Sequence, residues 1–182
     1  MKTKILMLAA LAALVSCNSG STLEKEIGKS LSKAENIKGY EFIDQAVSKN
    51  ATIDDCLSWE AKTAKKSLSN IKLQEEWYGA HLATEKQNTI EFSDGIERLR
   101  KENQEMLSNN YGKILKIKFK NKENGELVES SRYFIVDNED KVLYGPYLKY
   151  EEARDEYRTM TLSHLEGYKE LRANFVPYEK PE

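Results

Sequence analysis

The sequence predicts an α+β chain: a mostly helical N-terminal half, a three-stranded antiparallel meander and a long C-terminal helix. Three observations carry that expectation. Apolar residues recur every three or four positions between Leu23 and Leu107, the period changes to two at Tyr111-Gly112, and spacings of three and four return from Ala153 to Phe175. Residues 23–176 then form a single α+β domain, helical over 23–110, a β-meander over 113–144 and a helix over 148–175. Residues 177–182, with Pro177 and Pro181, are a tail.

Taken in order, Leu23, Ile27, Leu31, Ala34 and Ile37 share one face of a helix that Gly39 ends. A short second helix is expected over Glu41 to Ser48, burying Phe42, Ile43, Ala46 and Val47. Thr52 is an N-cap residue, and Asp54 and Asp55 suit the positive end of a helix dipole. Leu57, Ala61, Ala64, Leu68 and Ile71 continue as a stripe toward Tyr78 and Leu82, so a long helix is expected from Ile53 to Lys86, bent near Gly79. Its lysines Lys62, Lys65, Lys66 and Lys72 lie mostly off the stripe and read as a solvated face. Asn88 to Phe92 reads as a connection, and Asp94 with Glu97 at capping-box spacing opens a helix to about Asn109.

In Ile114 to Lys120 the apolar Leu115, Ile117 and Phe119 alternate with Lys116, Lys118 and Lys120, the pattern of a sheet with one wet face. Asn124-Gly125 suits a two-residue hairpin turn, which leads into a strand from Leu127 to Val136. Asp137 to Asp140 is a second polar turn before Lys141 to Tyr144, and Gly145-Pro146 ends that strand. Ala153, Tyr157, Met160, His164, Tyr168, Leu171 and Phe175 then hold one face of the closing helix.

The first residues carry the clearest chemistry. Lys2 and Lys4 precede an unbroken apolar run from Ile5 to Val15, the charged-then-apolar order of an export signal over residues 1–16. Eleven helical residues span about 16 Å, short of the roughly 30 Å hydrocarbon core of a bilayer. Leu14-Val15-Ser16-Cys17 resembles the lipobox of bacterial lipoproteins. That resemblance implies a diacylglyceryl group on the Cys17 thiol, cleavage before Cys17 and acylation of the new amine with a fatty acid such as palmitate. Several acyl chains hold a protein at a membrane far more firmly than one. Residues 17–22 would be the lipidated cysteine and a small, polar, flexible tether. Asn18 after the cysteine resembles release to the outer membrane, so the expected location is the cell envelope, at the outer membrane facing the periplasm.

Without residues 1–16 the chain has 166 residues, with 26 basic and 30 acidic side chains and a net charge of −4. That balance argues against nucleic acid, which needs a basic face. If lipid takes Cys17, Cys56 has no disulfide partner, and burial beside Leu57 is its expected fate.

Sites are sparse. No GxSxG, HExxH, CxxC or glycine-rich nucleotide fingerprint is present. Gly28-Lys29-Ser30 lacks the earlier glycine of a phosphate loop and belongs to a helix. His81 and Glu85 share a helical face but lack a third metal ligand, and His164 lies on an apolar stripe. Asp54/Asp55 and Glu151/Glu152 are accounted for as helix-opening acids. No catalytic residue, metal or cofactor is expected. The candidate ligand or partner surface is Tyr144, Tyr147 and Tyr150, in a concentration that also includes Tyr133 and Tyr157, since tyrosines stack on sugars and anchor interfaces.

Tyr144-Gly145-Pro146-Tyr147 followed by Glu152-Ala153 is similar to the strand-exit and helix-start element of SPOR domains, which implies peptidoglycan glycan strands as a partner. The sequence therefore points to a lipid-anchored, non-catalytic envelope protein that binds an envelope protein or peptidoglycan. The alternative is a periplasmic inhibitor or immunity lipoprotein against a toxin or wall-degrading enzyme. A glycan-cleaving enzyme is a third reading, and it requires two carboxylates about 5 to 10 Å apart across a cleft.

Overall fold

The computed structural model describes residues 21–37, 39–78, 82–123 and 125–179. Residues 1–16, expected to form an export signal, Cys17, the expected bend at Gly79, and His81 lie outside the described residues. The element order is α1 (Thr22–Glu35), β1 (Glu41–Lys49), α2 (Ile53–Tyr78), α3 (Ala83–Glu102), β2 (Lys113–Glu123), β3 (Glu126–Val136), β4 (Val142–Tyr147), α4 (Tyr150–Leu162) and α5 (Tyr168–Ala173), with a 3-10 turn at Gln104–Met106. The protein is α+β, with one antiparallel sheet in the order β1-β2-β3-β4.

Side-chain alternation on β2 and β3 divides the sheet into two covered faces. On one, Leu115, Ile117, Phe119, Phe134 and Val136 receive Leu23, Ile27 and Leu31 of α1. On the other, Ile114 and Ile135 join the core built by α2, α3, α4 and α5, with Leu57, Phe92, Ile96, Tyr157, Tyr168 and Phe175. Fully burying each such aliphatic or aromatic side chain contributes about 1.5–3 kcal/mol, so both layers are needed for a stable chain of this size.

Local chemistry sets the boundaries. Ser21 Oγ accepts the Glu24 amide while Glu24 Oε2 accepts the Ser21 amide, a capping box that starts α1. The helix ends at Asn36, left-handed at φ 55°, with the Ile37 amide donating to Leu31 O; Gly39 lies beyond this stop. Thr52 and Asp55 exchange the same reciprocal bonds at the start of α2. Asp137 Oδ1 accepts the Glu139 and Lys141 amides and so shapes the turn between β3 and β4.

Three expectations are corrected. The sheet has four strands rather than three, because Glu41–Lys49 is a strand and not a short helix. Nine residues are too few for a helix to persist without packing, whereas as a strand they satisfy the open edge of β2 and set Phe42 opposite Phe119. The second correction concerns the helical hairpin. Asn88–Phe92 is not a connection but the middle of α3, where Thr89 Oγ1 donates to Glu85 O and Phe92 stacks on Phe175 at 3.9 Å.

The third is the closing helix, which is not one long element. It breaks after Leu162, where Ser163 Oγ donates to Met160 O and His164 Nδ1 lies 3.1 Å from the same carbonyl. Gly167 at φ +80° then turns the chain into the six-residue α5. α5 lies close to α3: a Cβ on Gly95 would stand 2.4 Å from Leu171 Cδ1.

Candidate functional site

The tyrosine surface is assembled by the β3–β4 pairing and the start of α4. Tyr133 on β3 is directly opposite Tyr147 on β4, and Tyr150 is the first residue of α4. The Tyr133 and Tyr150 rings meet edge to face, with centroids 5.8 Å apart and planes at 63°. Lys116, opposite Tyr133 on β2, holds its Nζ 5.8 Å from the centroid of the Tyr133 ring. Tyr133, Tyr147 and Tyr150 pack one side against the core and keep the other side accessible. Tyr144 is 43 % exposed and Leu148 65 % exposed, which extends the patch along the strand exit.

Charge around the rings is mixed. Burial pushes the Tyr147 hydroxyl up to about 12, and Glu156, Tyr144 and Glu152 add to the shift. Tyr150 is also raised, first by burial, while Arg154 opposes and Glu151 and Tyr133 reinforce it. Both hydroxyls are therefore neutral donors and acceptors across the physiological range. Half-exposed rings with protonated hydroxyls, flanked by one ammonium and several carboxylates, suit a polar, ring-bearing or peptide ligand. Tyr157 does not belong with them: it is fully buried, and its hydroxyl lies 2.8 Å from both Ala51 O and Gly112 O.

The other sequence candidates have structural occupations. His164 is exposed and stacks on Tyr111 at 3.8 Å with planes 5° apart. Asp54 is paired with Arg100 at 2.8 Å, and Asp55 caps α2. Gly28-Lys29-Ser30 lies inside α1, where Gly28 lets the Tyr40 ring approach. Cys56 is buried, and burial pushes its thiol up to about 12, so it is held as a neutral thiol. Among the described residues no three His, Cys, Asp or Glu gather where they could hold a metal ion, and no helix is long and apolar enough to cross a membrane.

Sequence reasoning missed one polar cluster. Glu60 of α2 is 1 % exposed and stands between α4 and α5. Its Oε1 accepts the Tyr168 hydroxyl at 2.5 Å and lies 3.2 Å from Arg158 Nε and 3.8 Å from Arg172 Nε. The Arg158 contact is close but poorly aligned, so among the described residues neither Arg158 Nε nor Glu60 Oε2 has a hydrogen-bond partner. The signal was present: Glu60 stands four residues after Cys56 and three after Leu57, on the buried stripe rather than beside it. The cluster joins three helices, α2, α4 and α5. No protein-family model matches the chain, and neither a curated protein nor a solved structure is found similar to it.

Proposed function

We propose that this chain is a lipid-anchored cell-envelope protein that acts by binding rather than by catalysis, and that its contact surface is the tyrosine patch at the exit of β4. The observation that carries the reading is the joint half-exposure of Tyr133, Tyr147 and Tyr150 beside the exposed Tyr144. Tyr157 and Tyr168, by contrast, are fully covered. The anchor is supported by the lipobox-like Leu14-Val15-Ser16-Cys17, with the polar stretch from Asn18 to Ser21 as spacer to the domain. Peptidoglycan is the favoured envelope partner, because flat apolar faces beside neutral hydroxyls match the alternating faces and hydroxyls of a sugar chain. The SPOR-like run Tyr144-Gly145-Pro146-Tyr147 also supports this partner, although Gly145 and Pro146 lie within β4 rather than ending the strand as expected, and α4 starts at Tyr150.

The test is co-sedimentation of the full chain with purified peptidoglycan sacculi. The wild-type protein is expected in the pellet, and Tyr144→Ala combined with Tyr150→Ala is expected to move most of it to the supernatant while the circular dichroism melt is retained. An unchanged pellet fraction would remove the tyrosine surface, and a wild-type protein that stays in the supernatant would remove peptidoglycan. For the anchor, growth with labelled palmitate is expected to label the wild-type chain and leave Cys17→Ser unlabelled; an unlabelled wild-type chain would refute lipidation.

A further inference from the structure

At the sheet edge opposite the tyrosine patch, β1 meets the helices near its ends, with Phe42 against the α1 layer and Lys49 beside Asp55 and Trp59 of α2. Seven of its nine residues are exposed, and among the described residues its outer edge has no neighbouring strand. An open edge normally carries blunting features, and β1 has two: register shifts between Phe42 and Asp44 and between Val47 and Lys49. Between them, residues 44–47 pair regularly with Lys118 to Leu115 of β2. The Gln45 amide donates to Asp44 Oδ1 at 2.8 Å, a bond made by a side chain and outside the ladder, so this amide is directed to the open side.

The strand is also self-complementary. Read against its own reverse about Gln45, Glu41 falls opposite Lys49, Ile43 opposite Val47, and Gln45 opposite Gln45. Ile43 and Val47 are the two exposed large apolar residues of the strand, 39 % and 58 % accessible. Shifting this alignment by two residues sets Ile43 against Lys49 or Glu41 against Val47, so one register satisfies charge and apolar contact together. We infer that β1 pairs antiparallel with β1 of a second copy of this chain about a two-fold axis at Gln45, making a continuous eight-stranded sheet. The Asp44 carboxylate gives up the Gln45 amide to the partner's Gln45 carbonyl. Lys49 Nζ, 3.7 Å from Asp55 in an exposed pair and 6.0 Å from the centroid of the Trp59 ring, exchanges these weak contacts for the partner's Glu41. Tethering both copies to one membrane would raise their effective concentration, so a weak edge contact suffices.

The pairing is independent of the tyrosine reading, and the experiment touches no residue of that patch. Gln45→Cys places two thiols across the axis, with Cα atoms about 5.5 Å apart as in a hydrogen-bonded antiparallel pair, within disulfide range. Full-length Gln45→Cys is oxidised in cell membranes and compared with the wild type, which carries Cys17 and Cys56, and with Glu139→Cys on the exposed β3–β4 turn. A disulfide dimer is expected for Gln45→Cys alone. Adding Glu41→Lys or Lys49→Glu is expected to cut the dimer yield about tenfold, since each pair recurs on both sides of the axis, and the two together restore it. Unchanged protease resistance shows that these variants fold. Dimer no greater than that of Glu139→Cys, a double swap without restoration, or an adduct with a different protein at the edge would each overturn the inference.

Discussion

The buried Glu60 cluster gives the sharpest test of how the helical layer is held. Glu60→Leu removes the acceptor of the Tyr168 hydroxyl and the main counter-charge of Arg158, whose side chain is only 11 % exposed. Arg158 is left with the half-exposed Asp155 at 3.6 Å, one turn earlier on α4. Breaking one side of a buried pair costs about 3–5 kcal/mol because an uncompensated charge stays inside. Arg158→Met strands Glu60 in the same way, with less effect, since Tyr168 and Arg172 still face the carboxylate. The double variant removes both charges and keeps apolar volume, so it is expected within about 1–2 kcal/mol of wild type, which is the signature of a coupled pair. Urea unfolding followed by far-ultraviolet circular dichroism reads this directly. At a slope of about 2 kcal/mol per molar, Glu60→Leu lowers the midpoint by about 1.5–2.5 M, Arg158→Met lowers it by less, and the double recovers most of the loss. Single variants that cost under about 1 kcal/mol, or a double variant equal to the sum of the singles, would refute the coupling.

Other outcomes follow from the same interior. Tyr157→Phe leaves the buried Ala51 and Gly112 carbonyls without their shared donor and is expected to cost about 1–3 kcal/mol in the same urea assay. Gly112→Ala would set a Cβ 2.1 Å from Val136 O at a φ of +148°, so the β2 start must move; the expected result is a loss above about 3 kcal/mol or failure to accumulate, and a near-neutral variant would contradict the close approach. Alkaline titration is expected to unfold the protein. Burial raises the Cys56 thiol to about 12 from 9.0 and the Tyr157 hydroxyl to about 12 from 10.0, so the unfolded chain releases these protons first. Stability is therefore complete below about pH 9 and falls as pH rises from there toward 12, at roughly 1.4 kcal/mol per unit for each group within its window. Circular dichroism against pH checks the direction, and a melting temperature that is flat between pH 8 and 11.5 would contradict it.

The sequence disclosed the elements whose signals are local. The change of period at Tyr111-Gly112, the turns at Gly125 and Asp137–Asp140, and the Thr52 cap all act within a few residues of themselves. It hid those decided at a distance. Phe42, Ile43, Ala46 and Val47 fit a helical face as well as a strand, and only β2, about seventy residues later, settles them. Asn88-Thr89-Ile90 reads as a helix interruption until Ser67 and Phe175 are seen packed along it. The last helix keeps its apolar rhythm through Ser163–Gly167 while its backbone breaks, because Tyr168 and Phe175 reach the core from a second short helix. At the site, the tyrosines could be named but not their half-exposure, which depends on β4 lying beside β3. Glu60 was hidden by composition: one acid among many, distinguishable only by its phase on the stripe.

Because the sheet lies between two apolar layers, the molecule has a natural fracture plane. α1 is held to its side by three large aliphatic side chains, by the Tyr40 ring against Gly28 with its hydroxyl on Glu24 O, by the Arg132–Glu35 pair and by Glu26 accepting the Val142 amide. Amide protons of α1 should therefore trade with solvent deuterium through a peel-away opening that leaves α2 to α5 intact, well before global unfolding. Any tension arriving from residues ahead of Ser21 reaches this hinge-like flap first, so the remainder of the molecule is mechanically shielded by its most detachable part.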